Sequence, residues 1–89
     1  MQHAQLFLGS RRHPWTLDIS FDKGEKFKRM ELLSVAINAI VIDVAQRRGI
    51  SEQVICENPQ AMSSIRTHAA IRVEGFVQRY PYLMEKGES

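Results

Sequence analysis

The sequence predicts an α+β protein, mainly α: an N-terminal strand or β-hairpin, a long central helix, a short helix and a long C-terminal helix, paired as a homodimer through the central helix. Three observations carry this reading. Trp15, Leu17, Ile19 and Phe21 alternate with Thr16, Asp18 and Ser20, the period of a strand with one apolar face. Two later segments repeat their apolar residues every three or four positions, as helices do. The first of these, Leu32 to Ala45, LLSVAINAIVIDVA, carries two such rows rather than one, so both of its sides need cover.

In chain order, Ala4 to Leu8 reads as a short strand, followed by a loop over Gly9 to Pro14 and then the alternating strand. A lone strand leaves main-chain groups unpaired on both edges. The alternating strand therefore pairs either with Ala4 to Leu8 or with the same strand of a second chain. Asp22 and Glu25 have the spacing of a capping box, with aspartate in place of Ser or Thr, and predict a helix from about Gly24 to Gly49. Arg47 and Arg48 offset its negative end, and Gly49 can turn left-handed there. Ser51 caps a short helix, SEQVICE, which Asn58 and Pro59 stop. The same pair starts the last helix, whose row is Met62, Ile65, Ala69, Val73, Phe76 and Tyr80. The 89 residues form one small domain. Residues 1–22 are a strand or hairpin arm, 23–80 a helical core and 81–89 a flexible tail, with Tyr82, Leu83 and Met84 expected to pack home before it.

The central helix carries Met30, Leu33, Ile37, Ile40 and Val44 on one row and Leu32, Val35, Ala39 and Ile42 on another. The last helix can cover one row. Leaving Leu32, Val35 and Ile42 in water would forfeit roughly 5 to 9 kcal/mol, comparable with the roughly 5 to 15 kcal/mol stability of a whole domain. The arm could lie over the second row, but a second copy meeting there is favoured, because a chain this short gains most from extra burial. The expected dimer interface is Leu32, Val35, Asn38, Ala39 and Ile42. Ala39 lets two axes approach, and Asn38 could set their register.

Composition narrows the function. A net charge of +2 and a pI near 9.0 permit a nucleic-acid partner without urging one. The single cysteine, Cys56, makes no internal disulfide and fits a reducing compartment. Among Val54, Ile55 and Glu57 it is expected to be a buried thiol. The apolar run is too short, and too interrupted by Ser34, Asn38 and Asp43, to cross a bilayer, so the protein is read as cytoplasmic with no membrane partner. His3, His13, His68 and Cys56 lack ligand spacing, and no glycine-rich loop could cradle a phosphate. No metal, cofactor or catalytic residue is assigned.

What remains is protein binding. The expected role is a non-enzymatic regulator of the anti-activator or adaptor type, which binds and blocks or modulates another protein, a transcription regulator being one candidate target. Its partner-binding residues are read as Arg72, Phe76, Arg79, Tyr80, Tyr82 and Leu83. The aromatic and aliphatic side chains would fill a groove while the arginines set orientation.

The alternative rests on VIDVAQRRGISEQVICEN, residues 41–58. There Ala45, Gly49, Ile50, Ser51 and Ile55 stand as they do in the helix-turn-helix family. The resemblance implies a DNA-binding transcription regulator, with Ser51 to Glu57 as the recognition helix, Gln53 as a base reader and Arg47, Arg48 and Ser51 beside it. Glu52 and Glu57 on the same helix would oppose phosphate, which ranks it second. A strand followed by two helices in a dimer also resembles the ribbon-helix-helix family, implying that Thr16, Asp18 and Ser20 face the major groove.

Overall fold

The computed structural model describes residues 1–86. It contains β1 (Gln2–Phe7), β2 (Thr16–Phe21), α1 (Arg29–Arg48), α2 (Glu52–Cys56), α3 (Pro59–Arg79) and a single 3₁₀ turn, Pro81–Leu83. The architecture is therefore α+β and mainly helical, with an N-terminal hairpin ahead of long, short and long helices. β1 and β2 pair antiparallel within the chain, with Ala4 opposite Ile19 and Leu6 opposite Leu17. Because strand side chains alternate, this register puts Ala4, Leu6, Ile19 and Phe21 together on the buried face. The hairpin closes through Leu8 and Gly9, whose N–H groups both donate to the Trp15 carbonyl at 3.1 and 3.2 Å. Gly9 is required at this closure. A Cβ there would stand 2.3 Å from the His13 oxygen and 2.4 Å from the Trp15 nitrogen.

The helix boundaries follow local chemistry except at one end. α1 stops where Gly49 adopts φ 65°, with Ile50 N–H donating to Ala45 and Gly49 N–H to Gln46, a Schellman arrangement. Ser51 accepts from Val54 N–H to start α2, and Asn58 accepts from Gln60 and Ala61 ahead of Pro59 to start α3. The start of α1 departs from expectation by several residues. Asp22 and Glu25 do bond reciprocally, each donating its main-chain N–H to the other at 3.0 Å. Their box closes a turn rather than a helix, because Gly24 at φ 85° reverses the chain. Residues 25–28 then run extended, and Phe27 forms a parallel bridge with Met84. Phe27 N–H donates to Leu83 at 2.7 Å, and Glu85 N–H donates to Phe27 at 2.9 Å. A long-range pairing thus displaces the first helical turn, and Lys28 stands at the N-cap without a side-chain bond.

The same clasp revises the tail. Leu83 and Met84 are buried, as expected of side chains packing home, while Tyr82 stays 59% exposed. The expectation of a flexible end over 87–89 lies outside the described residues.

One core joins the hairpin to both long helices. Its fully buried large side chains are Phe76, Leu6, Leu8 and Leu32. On α1 the sealed positions are Leu32, Ala36, Ile40, Val41 and Ala45, with Leu33, Ile37, Ala39 and Val44 packed beside them. The two-row expectation therefore needs correction at Leu32, which shares its side of the helix with Ala36 and Ile40 and lies inside its own chain. Val35 and Ile42, from the same expected row, remain 42% and 41% exposed.

Candidate functional site

The two edges of the hairpin are disposed differently. In an antiparallel pair, alternate residues turn their N–H and C=O groups outward. The Leu8 N–H bonds Trp15 across the ladder, so the main-chain groups of Leu6 and Ala4 point inward, and those of His3, Gln5 and Phe7 point away from β2. At Gln5 these outward groups meet the C-terminal end of α3. Arg79 donates to the Gln5 carbonyl at 3.0 Å, and the Tyr80 hydroxyl stands 3.5 Å from the Gln5 nitrogen. Just past the end of β1, His68 Nε2 donates to the Leu8 carbonyl at 2.8 Å, and Arg72 to the Gly9 carbonyl at 2.5 Å. The Arg79 guanidinium also lies 4.1 Å from the centre of the Phe7 ring, within cation–π range.

The residues expected to grip a partner are thus distributed differently from the sequence reading. Phe76 and Leu83 are buried in the chain's own core. Tyr80 is half-buried, its ring tilted against Phe76 with centroids 4.9 Å apart, while Arg79 binds β1 and Arg72 the Gly9 carbonyl beyond it. Tyr82 is the one aromatic or aliphatic side chain of that set left mainly in solvent. The arginine positions were legible as an edge of α3, but their acceptors are main-chain carbonyls, which carry no signal in sequence.

The outer edge of β2 has no such cover. Its outward groups belong to Thr16, Asp18 and Ser20, all exposed, and among the described residues their main-chain N–H and C=O groups make no hydrogen bond. On the outer sheet face, Asp18 Oδ2 lies 2.7 Å from His3 Nδ1. Along α1, Val35 and Ile42 are exposed with Asn38, and Ala39 is half-buried.

A second apolar surface lies between α1 and α3. Arg29, Met30 and Leu33 from α1, with Ala70, Val73 and Glu74 from α3, line a groove of about 300 Å³. Met30 is 74% exposed and neighbouring Ile71 64%. Arg29 grips Glu74 with two hydrogen bonds, 2.7 and 3.3 Å, bracing the helices at its end. Since two residues along a helix turn about 200°, Ala70 faces away from His68 and Arg72. The groove therefore opens on the side of α3 opposite the hairpin. Sequence reasoning missed it because Met30 and Leu33 were assigned to a covered row and Ile71 to none.

The segment that resembles a helix-turn-helix, residues 41–58, takes a compact form. α2 has 5 residues, and the Gln53 amide donates to Glu57 at 2.8 Å. Arg47 is paired with Asp43 at 2.8 Å, while Arg48 and Ser51 are exposed. Cys56, expected to be buried, is exposed, because the inward position of this short helix is taken by Ile55. His68 is held by Leu8, and among the described residues no group of three or more His, Cys, Asp or Glu gathers in metal-binding geometry. No helix among them is long and apolar enough to cross a membrane. Comparison with protein-family models, curated proteins and solved structures finds no match for this chain.

Proposed function

We propose that the protein is a non-enzymatic, cytoplasmic regulator that acts by binding another protein, and that the α1–α3 groove is its docking surface. One observation supports this reading most directly. Met30 stands largely in water over a channel floored by Leu33, Ala70 and Val73, and Ile71 lines the adjoining hollow that shares Ala70 and Glu74. Large aliphatic side chains flanking a groove between two helices suit the apolar face of a third. The partner is thus an amphipathic helical segment presenting two or three aliphatic anchors, and occupation of that segment would block or modulate its own contacts. This is the chemistry of an anti-activator or adaptor. It moves the docking role from Phe76, Arg79 and Leu83, which the fold employs internally, to a surface free to receive a ligand.

Site-specific photo-crosslinking in cells tests the reading. A crosslinker at position 30 or 71 should trap one discrete protein, whereas one at Thr16 on β2 should not trap that protein. Met30→Asp and Ile71→Asp should each abolish capture from the other position. Identical capture from all positions, or none, would overturn the proposal. Salt-sensitive retention on DNA would replace it with the transcription-regulator reading.

A further inference from the structure

The bare edge of β2 and the exposed row on α1 both face away from α3. α3 holds the outer edge of β1 through Arg79 at Gln5, and the chain just past β1 through His68 and Arg72, so β2 occupies the side of the hairpin away from α3. On α1, Leu33 faces α3 across the groove with Ala70 and Val73. Val35 is two residues further on, about 200° around the helix, and Ile42 is seven beyond Val35, close to the same line. Val35, Ala39 and Ile42 therefore point away from α3 as well.

We propose that this flank receives a second copy of the chain. The two β2 strands pair antiparallel across a twofold axis, extending the hairpin to a four-stranded sheet in the order β1-β2-β2-β1. Beneath it the two α1 helices meet along Val35, Ala39 and Ile42. This goes beyond the docking of a partner at the α1–α3 groove and does not depend on it.

The choice of occupant follows from what each candidate would leave uncovered. An extended peptide would satisfy the outward groups of Thr16, Asp18 and Ser20 but leave the α1 row wet. A lone helix would cover Val35 and Ile42 and leave the strand edge unpaired. A second copy covers both at once, because an antiparallel edge is complementary to its own reversed image. Charge agrees with this choice at the centre of the flank, where Thr16, Ser20, Val35, Asn38, Ala39 and Ile42 are uncharged, with Glu31 one turn before Val35 at its end. Asp18 already has His3 as its neighbour. β2 carries neither Lys nor Pro, the residues that commonly keep exposed edges apart. Ala39 is small enough for two helix axes to approach. Asp18 also selects the register. Placing it opposite Ser20 of the other copy avoids two abreast carboxylates, and sets Ile19 beside its counterpart on the inner face.

Sedimentation analysis of the full chain at micromolar concentration, combined with residue-resolved amide hydrogen exchange, tests the proposal. The expected mass is twice 10.2 kDa, with the Asp18 and Ser20 amides protected in proportion to the dimer fraction. Ser20→Pro removes an outward N–H that the intramolecular ladder does not use, and should weaken association about tenfold or more. Val35→Glu with Ile42→Glu should do the same from the helix side, both with unchanged circular dichroism. A monomer throughout the range would overturn the proposal, as would a dimer whose Asp18 and Ser20 amides exchange freely. Protection that appears only when a different protein is added would overturn it too. Should either variant fail to fold, exchange on the native sequence decides.

Discussion

The two edges of the hairpin have the same backbone chemistry and opposite fates. Along β1 and just past its end, main-chain groups of Gln5, Leu8 and Gly9 meet Arg79, Tyr80, His68 and Arg72. Along β2, Thr16, Asp18 and Ser20 present theirs to solvent. The difference lies in the neighbouring helix. α3 passes beside β1 and carries long donors on the side that meets it, whereas α1 turns Val35, Ala39 and Ile42 away from α3. A charged row on an amphipathic helix is thus not necessarily a solvated face, since it can be the means by which a helix seals a strand.

Substitutions across the ladder should sharpen this contrast. Leu6 and Leu17 are cross-strand partners, but Leu6 is fully buried and Leu17 only partly. Leu6→Ala should cost about 2 to 5 kcal/mol in urea unfolding, and Leu17→Ala about 1 to 2. Equal losses would mean that β2 is sealed as well as β1. At the turn joining the edges, Gly9→Ala forces a methyl against the His13 and Trp15 main chain and should lower stability by about 1 to 3 kcal/mol, read as a fall in the thermal midpoint.

The donors on α3 should rank by burial. Arg72→Ala leaves the Gly9 carbonyl without its charged donor in a part-buried site, an expected loss of about 1 to 3 kcal/mol. Arg79→Ala, at an exposed site, should cost about 1 kcal/mol or less. Chemical denaturation of both variants, with Gln5 and Leu8 amide shifts as local reporters, checks that order. The smallest effect is expected on the bare edge. Asp18→Asn alters a hydrogen bond to His3 whose side chains are 55% and 59% exposed, and should change the unfolding free energy of the monomer by no more than about 0.5 kcal/mol. A larger loss would show that β2 has partners in its own chain after all.

What was legible in the sequence was what neighbouring residues decide. The alternation from Trp15 to Phe21, the Gly49 stop and the Asn58–Pro59 start each act over a few positions, and each appears where its spacing put it. The beginning of α1 was not legible, because Phe27 answers to Leu83 and Glu85 rather than to Asp22. The facing of α1 was only half legible. A helix apolar on several sides satisfies more than one spacing, and two of its sealed positions, Ala36 and Ala45, are too small to announce themselves. The α1–α3 groove and the bare β2 edge are properties of how elements sit together, which no local pattern encodes.

The clasp between Phe27 and Met84 ties positions more than fifty residues apart, and the front of α1 has no side-chain cap of its own. Closure over so long a span brings no contacts before its ends meet, so the stretch ahead of α1 depends on the far end of the chain. A protease cut just after Tyr80 is expected to bare Phe27 and leave the entrance to the long helix held only by the Glu31 and Leu32 bonds to Lys28.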